Sequence, residues 1–417
     1  MTPRSSRRAP SPGPVGFGEA LEIVRTHVPG PLTVPEETDL AAGAVLDRAL
    51  TATENLPNAD VAARDGYAVR ARDLSRATIA APVTLPIAGT TYAGAEPGRL
   101  RRGSAWRILT GAAIPAGADA VVQDEDCKRV DVKVSFHGPI VEGHFVIAEG
   151  SDLRRRRTVL NRGARLSPGG VALAAAAGHA LVEVRRAPRA RILCVGSELV
   201  VPGGELRPGQ RYSSNGSLLR AWCALHRVAQ DQFDVPDDVA RIQRHLRSNS
   251  GSSFFAWILV GGSGGSERDL VSAALAGLAW EPLFEGVRMT PGKGARFGLL
   301  EGRPVFGMPG GPSGCEIAFL ELVLPALQAM AGRSDPPFPV LHGIAAADFP
   351  PGRGGWTSFH RVTVKFQDDA RTAIRPVAAR SPLWAIAQTE GIVAVPEGHP
   401  GYRKGQAVPF QWVRPAG

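Results

Sequence analysis

The hydrophobic rhythm of the chain changes several times along its length. FGEALEIVRTHV places apolar residues at helical spacing and predicts an amphipathic helix. A second helical stretch is expected over 40–52. From 79 to 159 the rhythm shortens. VTLPIAG, AVVQDE, VKVSF and PIVEG are β-type runs cut by Gly and Pro. LSPGGVALAAAAGHALVEVRR reads as a helix after a Ser-Pro start, followed by a strand.

Between 190 and 333, strands of the buried type alternate with helices. ARILCVG, RVAQDQFDV, FFAWILV and RPVFGMP are the strands. SNGSLLRAWCALH, DDVARIQRHLRSN, ERDLVSAALAGL and SGCEIAFLELVLPALQAM are the helices, the last kinked by Pro325. Such alternation predicts a parallel sheet with helices on both faces. HRVTVKF, GIVAVPEG and VPFQWV return to β rhythm. The expected fold class is multidomain α/β plus β. A disordered tail covers 1–15, and a helical and extended linker domain takes 16–78 and 160–189. A small β-rich domain spans 79–159, the α/β domain 190–333, and a separate C-terminal β-domain 334–417.

Composition narrows the function. The 417 residues are 44% apolar and 21% charged, with a net charge of +9. Only five residues are Lys, so the basic set is Arg-biased, and no basic stripe is interleaved with aromatics. Nucleic acid is therefore not an expected partner. The arginine run at 154–157 reads as a solvated edge. No apolar window approaches membrane-spanning length, so no membrane partner is expected. Four isolated cysteines, with no C-x-x-C, fit a reducing cytoplasm.

Chemistry is expected where the parallel strands end. In open α/β sheets, ligands bind beyond the carboxyl ends of the strands. Three such ends are glycine-rich or acidic: VGSELVVPG with Glu198, GGSGGSERD, and MPGGPSG. Gly261, Gly262, Ser263 and Gly264 in one loop, and Pro309, Gly310, Gly311 and Ser313 in another, offer mostly backbone N–H groups. Backbone donors and helix N-termini favour anions. GGSGGS is neither a dinucleotide fingerprint nor a Walker loop. Asp237, Asp238 and Asp269 fall at helix starts near the same edge, where each can be a cap. Asp60, Asp65 and Asp152 lie in polar loops. Together such carboxylates can hold a divalent cation that bridges phosphates. Lys293, in PGKGARFG, is a lone ammonium in a Pro/Gly loop.

These segments resemble the molybdopterin molybdenumtransferases, the MoeA and gephyrin E-domain type, almost end to end. RDGYAVRARDL, ILTGAAIPAGADAVVQDED, VGSELVVPGGELRPGQRYSSN, MTPGKGARFG, VFGMPGGPSG and GIVAVPEG carry the likeness in order. The resemblance implies an elongated cytoplasmic homodimer whose α/β domain binds adenylyl-molybdopterin. It implies molybdate as second substrate, Mg2+ as cofactor, and release of AMP. It further implies a molybdopterin adenylyltransferase and a recipient molybdoenzyme as partners. By motif position, Asp60, Asp152 and Asp269 place cation and molybdate, and Lys293 offsets oxyanion charge. Ser214, Asn215, Gly261 and Gly262 hold the pterin phosphate, with Glu198 and Asp237 or Asp238 beside them. Ser197, Ser213, Thr290 and Gly311 stand where the family carries other polar residues. The alternatives are an impaired binding and delivery protein and, below it, an adenylyltransferase.

Overall fold

The helix expected at the N-terminus is α1 (Phe17–His27), which buries Ala20 and Val24 on one face. The computed structural model describes residues 13–248, 254–262, 269–366 and 372–414. The chain folds as two compact units, one from Met1–Leu32 with Arg185–Gly417, the other Thr33–Val184.

In the first unit, RARILCV becomes β1 (Arg189–Val195), buried along nearly its whole length, as a central parallel strand requires. The chain continues through α2 (Ser214–Leu225), β2 (Ala229–Val235), α3 (Val239–Arg247) and β3 (Phe255–Val260). It then runs through α4 (Leu270–Ala276), β4 (Trp280–Glu285), β5 (Val287–Thr290), β6 (Arg296–Leu300) and β7 (Arg303–Met308). The sheet order is β2-β1-β3-β7-β6-β4. Its first four strands are parallel, and β6 runs antiparallel to both of its neighbours, β7 and β4. The chain enters at β1, moves to one side for β2 and to the other for β3. The topological switch point therefore lies between the carboxyl ends of β1 and β3.

The long helix after β7 is α5 (Pro312–Ala318), a π turn over Phe319–Val323, and α6 (Leu324–Met330). Pro325 lacks an N–H and crowds the carbonyl four residues back, so the expected kink takes the form of a widened turn. The run Pro312–Met330 is, by length and composition, apolar enough to cross a membrane. That corrects the expectation that no segment reaches this length. Most of it, 78%, is buried in the protein, where its side chains build the largest core cluster with α1 and one face of the sheet.

Glu321 sits in the π turn, 6% exposed, with Oε2 accepting from Gln411 Nε2 at 3.2 Å and Oε1 without a hydrogen-bond partner among the described residues. Burial pushes its carboxyl up from 4.5 to about 7. A folded pKa above the unfolded one means that the native state holds more protons across this window. The contribution of this group to stability is full below pH 4.5 and is lost as pH rises through 7. Glu321→Gln should flatten that decline and raise stability at pH 8 by roughly 3 kcal/mol. Denaturant titrations at pH 5 and pH 8 measure it; a gain that is equal at both would contradict it.

The C-terminal strands β8 (Val340–Ala345), β9 (Thr357–Phe366), β10 (Thr372–Pro376), β11 (Gly391–Val395) and β12 (Ala407–Trp412) close on themselves. The ring runs β9-β10-β8-β12-β11 and back to β9. Each of its five strands thus has a partner on both sides, around Phe349, Val362, Ile374, Val393 and Phe410. The barrel is not the separate domain expected. β5 pairs with β9 in parallel, and Val15–Gly16 pairs with β5, so strand pairing joins the barrel to the α/β layers. The expected tail is shorter by the same observation, and residues 1–12 lie outside those described.

In the second unit, a six-stranded sheet runs Ala120–Gln123, Gly66–Val69, Ala105–Ile108, Val83–Thr91, Lys133–Phe136 and Cys127–Val130. It recruits Gly66–Val69 from before the expected boundary at 79. PIVEG forms no strand. The helix expected over 40–52 is also absent. Gly43, at φ +80°, turns the chain out of helical conformation, and the apolar residues are buried instead through bridges Val45↔Arg165 and Leu46↔Val184. The Ser-Pro start does open a helix, Pro168–Ala176, whose cap Ser167 accepts from the Gly170 N–H at 3.1 Å.

Candidate functional site

A cavity of about 370 Å³ lies at the switch point. Its floor is the tips of β1 and β3, with Cys194, Val195 and Gly196 on one side and Val260, Gly261 and Gly262 on the other. Gly310, Gly311 and Pro312 close it from the β7 end, where α5 begins. The start of α2 supplies Ser213, Ser214 and Asn215. Two helix N-termini and three strand tips thus face one space, an arrangement that presents backbone donors and positive potential.

Side chains brace this frame. Asn215 Nδ2 donates to the Gly310 carbonyl at 2.9 Å, tying the start of α2 to the β7 loop. Its Oδ1 is buried and has no partner among the described residues, leaving one acceptor inside the cavity lining. Ser213 is 2% exposed, and its hydroxyl donates to Asp234 Oδ1 at 2.5 Å. Behind the cavity, Trp222 of α2 donates Nε1–H to Glu316 Oε1 of α5 at 3.0 Å. The other Glu316 oxygen pairs with Arg361 of β9, whose second nitrogen donates to the Ser313 carbonyl at 3.3 Å. Cys194 is sealed beneath the cavity, where burial pushes its thiol up to about 12, so it is no nucleophile.

The residues expected from the sequence separate into groups. Glu198, Ser214, Asn215, Asp237, Gly261, Gly262, Gly310 and Gly311 line the cavity. Asp237 and Asp238 are told apart by their roles. Asp237 lines the cavity and its N–H donates to Ser197 Oγ at 3.0 Å, whereas Asp238 caps α3 by accepting from the Arg241 N–H at 3.1 Å. Pro309 and Ser313 flank the lining without joining it. Ser263 and Gly264 lie outside the described residues.

Asp269 does not stand free to bind a cation. Oδ1 caps α4 through the Ser272 N–H at 2.9 Å, and Oδ2 pairs with Arg296 at 2.7 Å. Asp60 and Asp152 are exposed in the other unit, and Asp60 Oδ1 accepts from the Glu149 N–H at 2.8 Å. Among the described residues, no group of three or more His, Cys, Asp or Glu is arranged to hold a metal ion. Within one copy, the expected Asp60, Asp152 and Asp269 form no such group among the described residues. Lys293 is exposed in the turn after β5 and is absent from the cavity lining. Asp65, whose carboxyl is held below its usual range by the Thr110 hydroxyl and N–H, is a turn anchor.

Sequence reasoning missed Arg211 and Tyr212. Both line the cavity from a two-residue strand paired in parallel with Leu199–Val200. A strand of two residues carries no periodic pattern, so the sequence offered no signal for either.

A glycine-lined cavity at the switch point of an open parallel sheet, in a chain that also carries a closed β-barrel, defines a multidomain α/β protein with a ligand-sized site at its strand tips. The MoeA N-terminal region (domains I and II) matches residues 15–178, and the probable molybdopterin binding domain matches 191–329. Molybdopterin molybdenumtransferase 2 of Mycobacterium tuberculosis is 33% identical over 381 residues, spanning 88% of this chain and 91% of that protein. The molybdopterin molybdenumtransferase of Bacillus subtilis is 29% identical over 374 residues, spanning 88% and 86%. A solved molybdopterin biosynthesis MoeA protein from Pyrococcus horikoshii superposes with a TM-score of 0.80 at 28% identity, covering 97% of this chain and 100% of the other. The chain belongs to the molybdopterin molybdenumtransferase family.

Proposed function

We propose that this chain works in molybdenum cofactor biosynthesis by inserting molybdate into adenylylated molybdopterin, with release of AMP, in the cavity between β1 and β3. The observation that carries the reading is the convergence of three strand tips and two helix N-termini on one space. Both substrates are anions, and backbone donors neutralise anionic oxygens without requiring basic side chains. The names of the relatives favour a transferase over a binding and delivery protein.

Among the described residues, Glu198 and Asp237 are the carboxylates lining the cavity. Mg2+ binds through one or two carboxylates plus substrate phosphates. Asp237 therefore fits such an ion, which would supply charge neutralisation between it and the substrate. Asp237 positions substrate oxygens or accepts a proton there; Asp238 holds the helix. The reading takes the cytoplasm as compartment, consistent with four unpaired cysteines. It takes a second copy of the chain as the contributor of exposed Asp60 and Asp152.

The test is AMP release from adenylylated molybdopterin with molybdate and magnesium. Asp237→Asn should slow release by about tenfold or more, equal to at least ~1.4 kcal/mol of barrier. Asp238→Ala should keep the rate within threefold and lower stability by about 1 kcal/mol through the lost cap. Tight substrate binding without AMP release would overturn the transferase reading in favour of delivery.

A further inference from the structure

The charged residues lining the cavity, among those described, are Glu198, Asp237 and Arg211. A site for a polyanion thus holds two carboxylates and one guanidinium, and the guanidinium is spoken for. Arg211 Nη2 lies 3.5 Å from Glu198 Oε1. Two features show what this pair does.

The first is its backbone. The Arg211 N–H donates to the Glu198 carbonyl at 2.9 Å, and the Ser213 N–H donates to the Val200 carbonyl at 2.9 Å. The short parallel ribbon holds both residues in fixed register at the cavity wall. Their side chains remain 71% and 37% exposed, so the pair is wet and weak, and free to exchange. The second is the placement of the carboxylate. A Cβ built on Gly196 would fall 2.5 Å from Glu198 Oε2. The carboxylate therefore lies over the backbone at the tip of β1, on the surface where an anionic ligand would approach.

We propose that Glu198 is an internal anion occupying part of the ligand's place, and that Arg211 exchanges it for the pyrophosphate of the substrate. A guanidinium meets phosphate oxygens through two parallel N–H bonds, which an exposed carboxylate at 3.5 Å does not match. The ligand must therefore outcompete a built-in carboxylate. A pyrophosphate presents acceptor oxygens on two phosphorus atoms, so it engages Arg211 and the backbone donors together, where a single phosphate reaches fewer of them. Arg211 and Glu198 together select an adenylylated pterin over the unadenylylated one. This inference rests on the cavity assignment above and names the group that reads the phosphate chain.

Calorimetric titration of the full chain with inorganic pyrophosphate, and separately with orthophosphate, tests it without requiring turnover. Arg211→Ala should weaken pyrophosphate binding by about tenfold or more, and Arg211→Lys should recover only part of the loss. Glu198→Gln should tighten orthophosphate more than pyrophosphate, so the preference narrows. With adenylylated molybdopterin, Arg211→Ala should raise KM more than it changes kcat. The proposal is overturned if the wild type does not bind pyrophosphate, if Arg211→Ala binds it as the wild type does, or if Glu198→Gln weakens both anions. Arg211-dependent pyrophosphate binding without AMP release would keep this inference and remove the transferase reading. AMP release with an indifferent Arg211 would do the reverse.

Discussion

Arg361→Ala should destabilise the protein by about 3–5 kcal/mol, because it leaves the Glu316 carboxylate charged and unpaired in the interior. The Glu316 side chain is 3% exposed and the Arg361 side chain 9%. Neither charge has water to fall back on once its partner is gone. The same arginine donates to the Ser313 carbonyl in the first turn of α5, so its loss also frees the loop carrying Gly310 and Gly311. Thermal unfolding should shift down by on the order of 10 °C. The double variant Arg361→Met with Glu316→Gln removes both charges and keeps an acceptor for the Trp222 N–H. It should recover more than half of the loss. A single variant within about 1 kcal/mol of wild type would show the pair to be solvated and of little weight.

Gly261→Ala should damage the cavity more than any other single methyl. Gly261 has φ +89°, and a Cβ there would meet the Val195 carbonyl oxygen at 2.5 Å. That oxygen is backbone at the tip of β1 and cannot rotate aside. The left-handed conformation alone costs a non-glycine residue about 1–2 kcal/mol. Relieving the contact must also push apart β1 and β3, or break the Gly261 N–H bond to the Met308 carbonyl, 3.2 Å long. A total of about 3 kcal/mol of stability and a hundredfold loss of pyrophosphate affinity are expected. Gly311→Ala is the internal control. Gly311 has φ −73°, and its added Cβ meets nothing within 4 Å. Its stability should stay within about 0.5 kcal/mol of wild type. Equal stability losses at the two positions would contradict this account of the loop.

The α/β layers were readable because each strand is a continuous apolar run bounded by a polar or glycine turn. FFAWILV became β3, and DDVARIQRHLRSN became α3 with Asp238 as its cap. The barrel's closure was not readable, since it depends on β9 meeting β11, β10 and β5 from four parts of the chain. The failed helix at 40–52 turned on one residue, Gly43, whose positive φ no hydrophobic period announces. At the site, glycine loops after strands were sound guides because they follow from backbone geometry. Carboxylates were poorer guides. Asp269 and Asp238 look alike in sequence to Asp237, and only the structure shows that Arg296 occupies the first, a helix cap the second, and the cavity the third. Arg211 was hidden for the opposite reason, in a two-residue strand too short to carry a pattern.

A crystal structure with the adenylylated pterin bound tests the central claim most directly. The account predicts its phosphate oxygens within about 3 Å of backbone nitrogens at the tips of β1, β3 and β7, with the Arg211 guanidinium turned from Glu198 toward them. Phosphates bound elsewhere on the chain, with the Gly261 and Gly310 loops untouched, would contradict it.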